Sequence, residues 1–263
     1  MQIAASSRPR KSFRPFRLVR RVVLFVLVVF LLPAAASVAW WHAQERPPSW
    51  RAADWSSSGL LPASQRDDAA VYVLAARTGG LKGALAVHSW IVLKKPGEDR
   101  YRRYDKVGWG NPIRIDGYAA DGRWYSNEPF VVQSATGDAA ERLLPEFEAA
   151  IAAYPYAERG GYRIWPGPNS NSFVAFVLDA VPGFDARLPP NATGRDYAPG
   201  WLLAGLTADG RDFRVTLFGL AGITVGAASG LELHLGGLVA GIDPFRPALK
   251  VPGFGSVPLR PST

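Results

Sequence analysis

Two places in this sequence carry residue types that could act together. One is Trp165-Pro166-Gly167-Pro168-Asn169-Ser170-Asn171-Ser172-Phe173, where a Pro-Gly-Pro turn leads two Asn-Ser pairs onto an apolar run. Asn and Ser are preferred helix N-caps, and Pro182-Gly183 supply a stop, so a helix of about three turns is predicted from Asn169 or Ser170. Its first amides would be unpaired and its positive dipole end would favour an oxyanion. The other place is His88, one of only three histidines. An imidazole within hydrogen-bond reach of Ser170 or Ser172 would be a general base for a hydroxyl nucleophile, with Asn169 or Asn171 adding a donor. The plainer readings stay open. Capping alone accounts for the serines, and a core histidine held by a backbone carbonyl accounts for His88. A third group should orient the ring, and the strand after His88 offers Tyr101, Arg103 and Asp105. Asp105 has the chemistry for it, since arginine cannot accept the imidazole proton.

Other chemistries are poorly represented. The absence of cysteine removes disulfides, thiolate metal sites and a thiol nucleophile. Three scattered histidines do not suggest a metal site, and no motif calls for a cofactor. His234 and Glu232 share a strand face, which a solvated face would explain equally well.

The elements that must position these residues follow from patterning. Val22 to Trp41 is twenty residues without a charge, long enough to span a bilayer. Seven positive charges precede residue 22. Removing them from the total of 30 leaves 23 basic against 22 acidic residues, so the net charge of +8 belongs to the N-terminal tail. That asymmetry indicates membrane topology, with the tail in the cytoplasm and the rest exported, rather than a nucleic-acid partner. A retained anchor in a bacterial inner membrane is expected, with the C-terminal part in the periplasm or outside. A cleaved signal peptide ending near Ser37-Val38-Ala39 is the competing reading. Residues 1–21 read as a disordered basic tail, 22–41 as the anchor and 42–68 as a linker. Residues 69–200 read as an α+β core, and 201–263 as a Gly- and Leu-rich β region packed on it.

Within the core, Val71 and Val73 begin a strand. Leu85 to Leu93 is apolar on both faces, as in a central strand covered on each side. Arg100 to Val107 returns as its hairpin partner, and Asn111 to Asp116 and Phe130 to Gln133 add short strands. A helix from Thr136 or Asp138 runs to about Tyr154, with Pro145 expected to kink or divide it. Tyr162 to Trp165 reads as a short strand. Beyond residue 200 about four antiparallel strands are expected, with Asp209-Gly210 as a hairpin turn. The unusually apolar stretch Gly219 to Gly230 fits either the core or the membrane surface, and is assigned to the core.

The combination His88-Ser89-Trp90, Tyr104 through Gly108-Trp109-Gly110, Tyr154-Pro155-Tyr156, Trp165 to Phe173 and Pro252-Gly253-Phe254-Gly255 resembles a family of uncharacterised bacterial membrane-anchored proteins. The likeness runs from about Ala69 to the C-terminus. The order of strand-histidine, hairpin, helix and Asn-Ser-Asn-Ser-Phe also resembles the circularly permuted papain-like folds, including the lecithin:retinol acyltransferase group and relatives of the NlpC/P60 cell-wall peptidases. That resemblance implies a papain-like core in which His88 is the catalytic histidine and Ser170 takes the cysteine position. It implies acyl transfer or hydrolysis on an envelope amide or ester, with a cell-envelope lipid or peptide as ligand. Asn169, Asn171, Ser172 and Trp90 would line the substrate side. The departure is chemical: a helix N-terminus stabilises a thiolate, whereas a serine hydroxyl depends on its base. The chain is then either a serine variant or a non-catalytic envelope protein that binds or scaffolds on an inactive papain-like fold.

Overall fold

The computed structural model describes residues 15–259. It opens on a continuous helix made of α1 (Pro15–Val26), a π-helical stretch Leu27–Leu31 and α2 (Leu32–His42). The 27 residues Phe16–His42 are long and apolar enough to cross a membrane; a signal sequence passes the same test. The helix begins inside the stretch expected to be a disordered tail, and residues 1–14 lie outside the described part. Phe30, Ala34, Ser37 and Trp41, spaced as one helical stripe, are buried against the rest of the chain. Ser37 Oγ donates to the carbonyl of Ala84 at 2.5 Å, and Arg46 stacks 3.6 Å above the Trp41 ring.

The α+β core is built on a five-stranded antiparallel sheet of order β4-β3-β2-β1-β5. The strands are β1 (Ala70–Arg77), β2 (Val87–Lys94), β3 (Arg102–Lys106), β4 (Ile113–Ile115) and β5 (Phe130–Thr136). β1 and β2 are central and buried almost throughout, which accounts for their near-continuous apolar runs. On one face Val71, Val73, Ile91 and Leu93 pack against α3 (Asp138–Ala152) and α4 (Ser170–Ala180) through Leu144, Phe147, Phe173, Val174 and Val177. Burying each such side chain contributes roughly 1.5–3 kcal/mol. On the other face Tyr72, Leu74, Trp90 and Val92 are covered by Trp55, Leu61, Tyr118, Trp124 and Tyr125. Residues 43–68 therefore lie folded against the sheet. Asp121 accepts from Ser57 Oγ at 2.7 Å and from the Leu61 amide at 3.2 Å.

Several expectations need correction here. α3 runs through Pro145 undivided. Pro145 and Glu141, whose carbonyl would have received the missing N–H, are both solvent-exposed, so water can satisfy that carbonyl. Gly137 stands at the N-cap of α3 with no side-chain cap. Tyr162–Trp165 is irregular, with a bend at Ile164 and Trp165, and not a strand.

The C-terminal region is a seven-stranded antiparallel meander instead of about four strands. Its strands are β6 (Leu202–Leu206), β7 (Asp212–Leu217), β8 (Ala221–Gly226), β9 (Gly230–Leu235), β10 (Leu238–Asp243), β11 (Ala248–Val251) and β12 (Gly255–Pro258). Gly219–Gly230 is a strand flanked by turns, with Ile223 and Val225 exposed and not in a core. The Glu232 and His234 face is buried, not solvated.

Candidate functional site

α4 begins where the turn chemistry requires. Asn169 is the N-cap, and its Oδ1 accepts from the amides of Asn171 (2.9 Å) and Ser172 (3.2 Å). Ser172 Oγ reciprocates by accepting from the Asn169 amide at 3.2 Å, completing a capping box. The same hydroxyl donates to the Gly194 carbonyl at 2.6 Å. Gly194 sits at φ +93°, and a Cβ there would lie 2.3 Å from the Asn169 amide nitrogen, so the close approach requires glycine. Asn169 Nδ2 donates to the carbonyls of Ile164 and Thr193, both at 3.0 Å. Asn171 docks the helix on β2: Ser89 Oγ donates to its Oδ1 at 2.8 Å, and its Nδ2 donates to Val87 (2.9 Å) and Thr193 (2.8 Å). The side-chain polar atoms of Asn169, Asn171 and Ser172 are thus engaged in holding the helix start.

Ser170, the first residue of α4, is different. Neither its Oγ nor its amide has a hydrogen-bond partner among the described residues. The orphan N–H is one of the donors a helix start leaves unpaired. Ser170 lines a cavity of about 250 Å³ together with His88, Asn169, Asn171, Lys106, Trp124 and Tyr162. The exposed Trp109 and Trp165 also border it.

His88 is buried at the start of β2. Its Nε2 lies 2.7 Å from Asp105 Oδ1, and Trp124 stacks on the ring at 3.7 Å, nearly parallel at 8°. Asp105 is also gripped by Arg103, with Nε to Oδ2 at 2.7 Å and a second guanidinium nitrogen to Oδ1 at 3.0 Å. Burial opposes the Asp105 charge, but Arg103 and then His88 prevail and hold its carboxyl at about 2. An ionised carboxylate only accepts, so Nε2 must carry the ring proton and Nδ1 keeps its lone pair. Nδ1 has no partner among the described residues. Burial pushes the His88 pKa below its usual value, outweighing Asp105, while Arg103 acts in the same direction as burial. No hydrogen bond joins His88 to Ser170 directly.

Of the residues singled out from sequence, the structure brings His88, Ser170, Asn169 and Asn171 to one cavity and ties Asp105 to His88. Tyr101 lies beside Tyr72 instead. Trp90 is fully buried, stacked under Arg103 at 3.9 Å, with Nε1 donating to the Ala120 carbonyl at 2.9 Å. It supports the charged pair from behind and does not line the cavity. Two contributors went unread in the sequence. Trp124 comes from an irregular loop without any periodic signal. Lys106 was visible by alternation, since it must point away from Asp105 toward α4. Its Nζ donates to the Tyr156 carbonyl at 2.5 Å and lies near the Tyr154 and Tyr162 rings. Burial lowers its pKa to about 8.

Residues 68–197 match the family model of a protein of unknown function, DUF3750. The match contains the five-stranded sheet, α3, α4 and all of the polar groups around Ser170 and His88, and it ends before the C-terminal sheet. No curated protein and no solved structure matches the chain, so the papain-like likeness has no counterpart among these comparisons.

Proposed function

We propose that this protein is a serine-variant papain-like hydrolase or acyltransferase, held at the outer side of a bacterial inner membrane by its N-terminal helix and acting on amide or ester bonds of the envelope. One observation carries the reading: His88, whose Nε2 is held by buried Asp105 and whose Nδ1 is unpartnered, lines the same cavity as Ser170, whose hydroxyl and amide are unpartnered among the described residues. Ser170 Oγ attacks the substrate carbonyl and His88 Nδ1 takes its proton. The imidazolium that forms is stabilised by Asp105, and the Ser170 amide at the helix start donates to the developing oxyanion. His88 then returns the proton to the leaving group. Water or a second acceptor, deprotonated by His88, releases the acyl group from Ser170. His88 shares its face of β2 with Trp90 and Val92, opposite the face on which α4 packs, so hydroxyl and imidazole must meet around the start of β2, where the cavity passes, when substrate binds. Lys106 supplies a cation on the α4 side, suited to an anionic group of the substrate.

The test is labelling of the full-length protein with a fluorophosphonate. Wild type is expected to react, and Ser170→Ala and His88→Ala are expected not to. Labelling that persists in Ser170→Ala would remove this serine from the chemistry. A folded wild type that never reacts would favour a ligand-binding domain with the same cavity. Because the chain has no cysteine, Ser170→Cys introduces a single thiol, whose alkylation should titrate below the ordinary value of about 8.5.

A further inference from the structure

The C-terminal sheet is inverted relative to a sheet that packs one face on a core and shows the other to water. Such a sheet ordinarily turns polar residues outward. Here Asp212, Thr216, Thr224, Glu232, His234 and Lys250 are buried. The register aligns Leu206, Phe213, Val225, Leu231, Ile242, Leu249 and Val257 in one row across all seven strands. These seven are between 36% and 69% exposed, and none is charged. A further row, Leu202, Leu217, Ala221, Leu235 and Leu238, runs parallel to it, with Ala204, Val215, Ile223, Leu233 and Ala240 between them. With strands about 4.8 Å apart, the first row is about 30 Å across, wider than the apolar patches that monomers leave in water.

We infer that this face lies in the outer leaflet of the bilayer that holds the N-terminal helix, so that the protein has a second, monotopic membrane contact. The occupant follows from continuity with the helix. The Leu27–Leu31 stretch packs against β10, and Phe30 within it is buried. Phe30 is eleven residues before Trp41, about 16 Å along the helix. The Trp40-Trp41 pair suits the membrane–water interface, so β10 stands at acyl-chain depth beside the spanning segment. At the interface level Trp40 meets Phe254, in the β11–β12 turn, at 6.2 Å. β6 and β12 end the sheet as open edges, which excludes crossing the bilayer and fits an interfacial seat.

The cysteine-free chain allows a direct test on the full-length protein in phospholipid vesicles. Phe213→Cys, Val225→Cys and Leu249→Cys, each labelled with an environment-sensitive nitrobenzoxadiazole dye, are compared with Asp99→Cys on the far β2–β3 turn. The three row positions are expected to emit blue-shifted light and to lose at least half their intensity when the lipids carry brominated acyl chains. The Asp99 position is expected to stay water-like in both. Water-like emission from the row would overturn the inference. So would blue-shifted emission that brominated lipid fails to quench, the signature of a face covered by a second copy or another protein. The unaltered chain gives an independent answer. A diazirine in the lipid acyl chain should cross-link to peptides of β7 to β11, and cross-links confined to Phe16–His42 would contradict the seat.

Discussion

Arg103 allows Asp105 to remain ionised while completely buried. A lone carboxylate at that depth would take up a proton, whereas the two-point grip of the guanidinium favours the charge. The consequence reaches His88: with Asp105 already matched by Arg103, the ring stays neutral and its free nitrogen remains basic. Asp105→Asn should therefore lower the fluorophosphonate labelling rate by two orders of magnitude or more, because the amide can donate to Nε2 and hold the wrong tautomer. Asp105→Ala adds a structural cost of about 3–5 kcal/mol, since it strands a buried guanidinium, and urea unfolding would register it. In wild type the burial-depressed His88 pKa moves the acid limb of labelling below pH 6.5. The rate should reach half its plateau at a pH below 6.5. An acid limb above 6.5 would contradict a buried neutral base. At this scale the sequence left three partners open for His88. Pairing Ile91 with Tyr104 is what puts Arg103 and Asp105 on the histidine face, and a register cannot be read from a hairpin whose strands are apolar or charged on both sides.

The helix α4 is the element most fully written in its own residues. Its cap, its length and its stop all follow from local chemistry, because capping is a contact between residues three apart. Apart from the donation of Asn169 to Ile164, what Asn169 and Asn171 do beyond the cap depends on segments more than twenty residues away, and that part was not legible. Substitution separates the two roles of Asn169. Asn169→Ser keeps a cap acceptor and loses the donations to Ile164 and Thr193, while Asn169→Ala loses both. The alanine variant should be less stable than wild type by about 2–4 kcal/mol, combining a lost cap with stranded carbonyls. The serine variant should fall between them by thermal unfolding, and equal losses would mean that the cap itself contributes little. The β-meander was underestimated for the opposite reason. Its strands are short and separated by glycine turns, and alternation was read without knowing which face was inward. Leu231, Leu233 and Leu235 were legible as one face and Glu232 and His234 as the other, but the usual assignment of apolar to inside is reversed here.

That reversal makes the contact between the C-terminal sheet and the loop after α4 electrostatic. Arg195 and Lys250 both pair with Glu232. Asp196 receives His234 Nδ1 at 2.9 Å and Arg214 at 3.4 Å, and His234 Nε2 lies 3.3 Å from Glu232. Burial disfavours the charge on His234, yet Asp196 and Glu232 outweigh it and raise its pKa to about 9. Asp196 and Glu232 are themselves driven well below the usual carboxylate range, against their burial, by Arg195 and the neighbouring cations. The signs give two limits to stability. A raised histidine pKa stabilises the fold fully below about pH 6.5, and that contribution is lost as pH rises through about 9. Depressed carboxylate values stabilise above about pH 4, and theirs is lost in strong acid. Between pH 6.5 and 9 the loss carried by His234 should be on the order of 3 kcal/mol at most. Urea unfolding of the full chain in detergent micelles across that window reads it directly. Wild type should weaken from pH 6.5 to 8, while His234→Gln should start weaker and not weaken over that range, because glutamine cannot release a proton. Above pH 8 Lys106, whose pKa burial lowers to about 8, acts in the opposite direction in both proteins. If both proteins weaken in parallel, His234 is not the group that couples this seam to pH, and the attachment of the membrane-facing sheet to the core must rest on the arginine and lysine pairs alone.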